Sequence, residues 1–156
     1  MMKTNLDETN RRILRALQRL GRVTMAELAE HVNMSLAPVH KRVRKMEEDG
    51  IIKGYWPRVD RLALGLGVEV FLEVTFREHH DDHTQAFRAA LGRVPEVKSV
   101  RMISGEADYL VQLVVGDIAD YQRIVREVLL KLPMIKDIRS SIVLEEVFDN
   151  QPLHVD

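Results

Sequence analysis

Cysteine is absent from the 156 residues. Its absence excludes a disulfide framework, a cysteine-ligated zinc finger and a cysteine nucleophile. No apolar stretch approaches the ~18 residues that a membrane span requires. The first residues, Met1 to Asn10, are polar and lack the apolar centre of a signal peptide. A cytoplasmic protein with no membrane partner is the expectation. The chain carries no P-loop and no GxGxxG. Ser104, Ser140 and Ser141 stand in no nucleophile-elbow context. Charge of one sign is also lacking, the net charge being −1.

What is present is ordinary in amount and uneven in placement. The hydrophobic fraction is 46% and the charged fraction 30%, as in soluble globular proteins. The length suits one ordinary domain or two small ones. Up to Tyr55 the net charge is +4, and the remainder carries −5. A basic first third on an acidic remainder suggests a polyanion-binding head on a body with another task.

The first third predicts three helices. Asp7 is placed to cap the first, and Ile13, Leu14, Leu17 and Leu20 follow at helical spacing before Gly21. Thr24 and Glu27 form a capping box for a short second helix with Leu28, Ala29 and Val32 inward. Asn33 suits the tight turn that follows, because Asn tolerates left-handed backbone. Ser35 caps the third helix and Pro38 falls in its first turn, where no helical N–H is lost. Leu36, Val39, Val43 and Met46 make its apolar stripe, Gly50 ends it, and a short strand is expected from Ile51 to Tyr55.

Trp56 to Gly67 reads as a connector, with Trp56 as a hinge anchor. Then the period changes to two. Val68, Val70, Leu72, Val74 and Phe76 alternate with Glu69, Phe71, Glu73, Thr75 and Arg77. A helix from Asp82 to Gly92, strands from Val97 to Ser104 and from Tyr109 to Val115, a helix from Asp117 to Leu132 and a strand from Ile135 to Val147 complete the order β-α-β-β-α-β. That order is the ferredoxin-like split βαβ arrangement. The tail from Phe148 is expected to be loose. The predicted class is α+β: a winged helix-turn-helix domain over residues 1–55, a linker over 56–67 and a ferredoxin-like domain over 68–156.

Three helices with a short turn between the last two are the helix-turn-helix arrangement. The stripe on the third helix turns Ala37, His40, Lys41 and Arg44 outward, with Arg42 and Lys45 on the flanks. Major-groove reading needs polar side chains near the start of such a helix and cations around it. The N-terminus at Ser35 can itself meet a phosphate. A solvated amphipathic helix explains KRVRK equally well when the run is taken alone.

The residues LDETNRRILRALQRLGRVTMAELA, SLAPVHKRVRKMEEDGIIKGY and SGEADYLVQLVV, in that order, resemble the Lrp/AsnC family of transcriptional regulators, also called feast/famine regulators. The resemblance runs from about Leu6 to Val147. Asn10, Asn33 and Met46 depart from it, standing where an acidic residue, Gly and Leu are usual. It implies a head that binds operator DNA. It also implies a body that associates into dimers and larger even-numbered oligomers and binds a small effector, typically an amino acid. Carried over by position, Gly105, Asp108 and Tyr109 are the effector-site residues. Without the resemblance, Gly105 and Asp108 read as an ordinary hairpin turn.

Other clusters carry less. His79, His80, Asp81, Asp82 and His83 could ligate a metal, but Asp82 with Gln85 already reads as a helix cap, and no metal or cofactor is called for. Phe71 stands outward among acidic neighbours, and a second subunit would cover it. The competing function is an enzyme of the same architecture resembling siroheme decarboxylase. That reading expects a third helix that is not basic.

Overall fold

The computed structural model describes residues 6–78, 80–148 and 151–155. The chain forms two compact units. One joins the residues up to Arg58 with the tail from Phe148; the other runs from Val59 to Val147.

The first unit is built on α1 (Glu8–Leu20), α2 (Met25–His31) and α3 (Leu36–Glu48). Each start has a local cause. Asp7 Oδ1 accepts from the Asn10 N–H at 2.7 Å, and the Thr24–Glu27 box closes in both directions. Both arrangements satisfy N–H groups that a helix start leaves free. Ser35 has the extended backbone of a cap, but its side chain makes no capping bond. Asn33 takes the left-handed turn, at φ 51°.

Ile13, Ala16, Leu28, Ala29, Val32, Val39, Val43 and Met46 form the core of this unit. Leu36 does not belong to it. At 51% exposed, it sits in the first turn of α3 outside that core. Leu20, at the last turn of α1, is also exposed, and the small Ala16 is buried instead.

The strand expected over 51–55 does not form. The N–H groups of Ile51 and Ile52 both turn back to the Met46 carbonyl, which closes the end of α3. An extended segment becomes a strand only when another backbone pairs with it, and none does here among the described residues. Trp56 is 75% exposed and packs over Gly54, where a Cβ would lie 2.5 Å from the indole. It is not buried as a hinge anchor. The second half of the expected linker folds with the second unit, where Arg61 donates to the carbonyls of Leu66 and Gly67.

The second unit is a four-stranded antiparallel sheet with two helices. Its elements are β1 (Val68–Phe76), α4 (Asp81–Leu91), β2 (Val97–Met102), β3 (Tyr109–Val115), α5 (Ile118–Glu127) and β4 (Ile135–Ile142). A single 3-10 turn, Leu129–Lys131, carries the chain from α5 towards β4. The strand order is β2-β3-β1-β4, the expected βαββαβ topology. The alternation on β1 sends Val70, Leu72, Val74 and Phe76 into one core with Phe87, Val111, Leu113, Ile124 and Leu129.

Several boundaries moved: β2 ends at Met102 rather than Ser104, and α5 at Glu127 rather than Leu132. His80 takes the cap position of α4 with no side-chain capping bond, so Asp82 lies inside the helix rather than capping it. The last strand stops at Ile142, although the next N–H, that of Val143, still donates to the Glu69 carbonyl of β1 at 2.9 Å.

The tail is not free. Gln18 Oε1 accepts from the Leu153 N–H at 2.7 Å, and Gln18 Nε2 donates to the Leu153 carbonyl at 3.2 Å. Residues 151–155 therefore belong with α1, not with the sheet that precedes them in sequence. By its contacts the segment from Phe148 groups with the helical unit.

Candidate functional site

Val39, Val43 and Met46 hold α3 against α1 and α2, which fixes the side that faces outward. Ser35, Ala37, His40, Lys41, Arg44 and Lys45 are exposed there. Ala37, Lys41 and Arg44 follow one another at spacings of four and three, along one face of the helix. Among the described residues, His40 and Lys41 enter no hydrogen bond or ion pair. Arg44 pairs with Glu48 at 3.0 Å and Lys45 with Asp49 at 2.7 Å, both one turn on along the same helix. The Asp49 carboxylate raises the Lys45 pKa through that bond. Such exposed pairs contribute little to stability and can exchange for a phosphate at small cost.

Arg42 differs from its neighbours. It is half-buried, and its Nη1 donates to Asp7 Oδ2 at 2.6 Å and to Asn10 Oδ1 at 2.9 Å. One residue thus ties the middle of α3 to the start of α1. Asp7 serves both ends of the arrangement. The Asn10 N–H first, and the Arg42 guanidinium next, hold its carboxyl below the ordinary carboxylate range. Arg42 is a brace for α3, not a free flank cation. Asn10, the departure from the family's usual acid, supplies a neutral acceptor to the same guanidinium.

A second polar site lies at the turn from Ile103 to Asp108, between β2 and β3. Gly105 has φ 130°, a backbone that side-chain-bearing residues rarely adopt, yet the space beside it is open. The glycine is therefore required by conformation, not by close approach. Asp108 is tied to its surroundings through both backbone and side chain. Its N–H donates to the Val74 carbonyl at 3.0 Å, its carbonyl accepts from Ile103 at 2.9 Å, and its Oδ2 accepts from the Phe76 N–H at 2.7 Å. The last bond falls where the β1–β4 register shifts, between Thr75 and Phe76. These bonds tie the end of the turn to β1.

Tyr109 points away from this surface. It is 3% exposed, packs against Phe76 and Phe87, and shares a hydrogen bond with Thr84 of α4 at 3.2 Å. Its side chain is part of the core.

Two polar residues beside the turn were not foreseen. Arg139 of β4 reaches Glu106 of the turn at 3.0 Å and Asp137 at 3.6 Å. Glu106, then Asp137, raise the Arg139 pKa. Glu106 lies within the SGEADY run and was within reach of inspection. Arg139 was not, because only the register Glu73↔Arg139 brings β4 to this place. Among the described residues no group of three His, Asp or Glu could hold a metal. His79 lies outside the described residues. His80 pairs with Glu78 at 3.2 Å and meets the His83 ring edge-on.

No helix is long and apolar enough to cross a membrane among the described residues. Residues 6–53 match a winged helix-turn-helix DNA-binding family, and residues 69–153 match the Lrp/AsnC ligand binding domain. The leucine-responsive regulatory protein of Salmonella typhimurium is 36% identical over 143 residues, 92% of this chain and 87% of that one. A transcriptional regulator from Neisseria meningitidis, solved in complex with L-methionine, superposes with a TM-score of 0.91 at 33% identity, covering 97% of this chain and 98% of that one. A feast or famine regulatory protein from M. tuberculosis, also complexed with L-methionine, gives 0.86 at 27% identity, covering 97% of this chain and 99% of that one. These relatives are regulators, not enzymes, and the strongly basic α3 agrees with them against the decarboxylase alternative. With both units matched and the relatives covering nearly the whole chain, the protein belongs to the Lrp/AsnC family of transcriptional regulators.

Proposed function

We propose that the protein binds operator DNA through the outer face of α3, assembles through the open face of its sheet, and changes its DNA affinity when an amino acid binds beside the 103–108 turn. The observation that carries this reading is the free, exposed Lys41 in the middle of a helix whose orientation is set by its own core and by Arg42. In this reading Ala37, His40 and Lys41 face base edges. Ser35, Arg44 and Lys45 meet phosphates, and the two cations leave Glu48 and Asp49 to do so.

Assembly is supported by the sheet. Phe71, Leu110 and Val114 lie on the face opposite the helices, and all three are half-buried in the single chain. A homodimer, and from it larger even-numbered oligomers, would remove them from water. A dimer also gives two copies of α3 for successive major grooves, with half-sites about 34–36 Å apart or a multiple.

The amino-acid reading is supported by the Glu106–Arg139 pair and by the relatives' L-methionine. An amino acid is a zwitterion. Its carboxylate can replace Glu106 on Arg139, and its ammonium can replace Arg139 on Glu106, so one ligand satisfies both partners of an exposed pair. Asp108 and Gly105 shape the turn that presents Glu106. Tyr109 supports that turn from the core.

The decisive experiment is a salt titration of DNA binding. Wild-type affinity should fall log-linearly with salt, and Lys41→Ala should either flatten the slope by about one unit, if Lys41 meets a phosphate, or cost about 1–3 kcal/mol at one operator position, if it meets a base. Wild-type binding that ignores salt, or a Lys41→Ala variant that binds as wild type does, would overturn the assignment of α3 as the reader.

A further inference from the structure

The basic character of the helical unit is not confined to α3. α1 carries four arginines, Arg11, Arg12, Arg15 and Arg19, against one carboxylate, Glu8, and it has no lysine. Arg12, Arg15 and Arg19 follow at spacings of three and four, so they share one face of the helix. Like charges at those spacings destabilise a helix. A cavity of about 170 Å³ opens on this face, lined by Arg12, Arg15, Ala16, Arg19, His31 and Val32. The buried Ala16 and Val32 give it an apolar wall. Every polar side chain that lines it is basic, and no residue of α3 takes part. Two of the four basic groups have partners. Arg12 donates to the carbonyl of Val32, at the end of α2, and Arg15 is shared between Glu8 and the Val155 carbonyl, the latter at 2.9 Å. Arg19 and His31 are exposed, and among the described residues they enter no hydrogen bond or ion pair.

A solvated charged face accounts for interspersed signs. It does not account for basic groups from two helices that converge on one concave site without a carboxylate in its lining. The group that completes such a site is an anion. Arginine favours phosphate in particular, because its planar fork matches two phosphate oxygens at once. Arg12 to Arg19 span about 10 Å of helix axis, whereas each strand of duplex DNA carries a charge about every 3.4 Å along its axis. The stripe is thus longer than a single phosphate ion fills. No Phe, Tyr or Trp lines the cavity, so a nucleotide base finds no ring to stack on. The position also suits a duplex. Val32 ends α2 three residues before Ser35, the cap of α3. In helix-turn-helix docking the first helix of the pair crosses the backbone while the start of the second enters the groove. His31 stands on that first helix.

We propose that Arg12, Arg15, Arg19 and His31 form a second anion site of the helical unit, which takes backbone phosphates of the duplex beside the positions that α3 reads. Where the duplex lies rests on the reading of α3 given above; the chemistry of the site does not. The site reads no bases. It adds affinity and salt dependence without changing which sequence is preferred.

The test uses the full chain and the duplex that the wild-type protein selects from a random-sequence pool. Arg19→Ala is the informative variant, because Arg19 is exposed and its removal breaks no bond among the described residues. At low salt it should lower affinity for that duplex about threefold or more, and it should flatten the salt slope by about one unit. The melting temperature and the ranking of single-base variants of the duplex should not change. Arg19→Lys keeps the charge but not the fork, and should keep the slope. Arg19→Glu should weaken binding more than Arg19→Ala does. Trimming the duplex to the positions where base changes matter should erase the difference between Arg19→Ala and the wild type. A wild-type slope for Arg19→Ala, an altered base ranking, or an effect that survives trimming would overturn the proposal. So would inorganic pyrophosphate that binds the wild type, fails to bind Arg19→Ala and leaves the two alike in DNA affinity, because the site would then hold a free anion. If Lys41→Ala binds as the wild type does while Arg19→Ala is weakened, the reading of α3 fails instead, and this site stands as the DNA contact.

Discussion

On α3 the candidate DNA-contacting groups occupy one helix, from Ser35 to Lys45, and the helix would present them in any fold that buried Val39, Val43 and Met46. Around the 103–108 turn the candidate ligand groups come from separate elements. Glu106 meets Arg139 from 33 residues away, and Asp108 meets Phe76 from 32 residues away. The first kind of site depends on local periodicity and one packed stripe. The second depends on strand register, in which a slip of one residue sends every side chain to the other face. The helical site should therefore tolerate disturbance of the sheet unit, and the turn site should not.

The largest effects should come from the two cores. Phe87→Ala removes a fully buried ring that packs against Phe76 and Tyr109, and should cost about 3–5 kcal/mol. Met46→Ala should cost about 2–5 kcal/mol in the smaller helical core. Thermal unfolding followed by calorimetry sharpens the comparison. If the units melt independently, each variant lowers a different transition, and Phe87→Ala abolishes ligand binding while the helical unit stays folded. A single transition lowered equally by both would break the contrast between the units.

Next in size is the turn itself. Asp108→Ala leaves the Phe76 N–H without its acceptor and should cost about 1–3 kcal/mol. Asp108→Asn keeps an acceptor oxygen and should fold as wild type. Arg139→Gln, on an exposed strand position, should leave stability nearly unchanged and abolish the response to the amino acid. Ligand binding by calorimetry on folded Asp108→Asn and Arg139→Gln separates the two roles. Binding lost in both would give Asp108 a direct part; binding lost only in Arg139→Gln leaves it a turn residue. Full binding by Arg139→Gln would remove the Glu106–Arg139 pair from the site.

How much of this was legible beforehand follows the same division. Asp7, Thr24–Glu27 and Asn33 act within four residues of themselves, and their roles as caps and turn could be read from spacing. The alternation on β1 gave away which of its residues meet the core. Long-range pairings had no such signal. Nothing in KRVRK distinguishes Arg42, which is bound to Asp7 35 residues earlier, from Lys41, which is free. Nothing in a polar tail shows that Leu153 meets Gln18 135 residues away. Nothing beside Asp108 in sequence shows that the Tyr109 ring packs against Phe76 and Phe87.

A smaller effect tests the difference between Lys41 and Arg42 directly. Lys41→Ala should change the salt dependence of DNA binding, whereas Arg42→Gln should lower affinity with the slope unchanged, because it loosens α3 without removing a phosphate contact. Asp7→Asn, on α1, should lower affinity in the same way, and adding it to Arg42→Gln should have little further effect. A flattened slope for Arg42→Gln with a neutral Asp7→Asn would make Arg42 a DNA contact after all.

The smallest expected effect is the pH dependence of that brace. The Asn10 N–H and the Arg42 guanidinium lower the pKa of Asp7 in the folded state. A carboxyl so depressed stabilises the fold fully above its unfolded pKa of about 3.9, and the contribution is lost as pH falls from there through the lower folded value. The helical unit should accordingly be indifferent to pH near neutrality and weaken below about pH 4, on protonation of Asp7. In Asp7→Asn this part of the acid limb should disappear: the variant starts less stable near pH 7 and approaches the wild type as pH falls. Helical ellipticity at increasing urea, measured from pH 7 down to about pH 2.5, gives both curves. Parallel curves over that range would mean that Asp7 is not held in the folded state, and the brace between α1 and α3 would lose its electrostatic half.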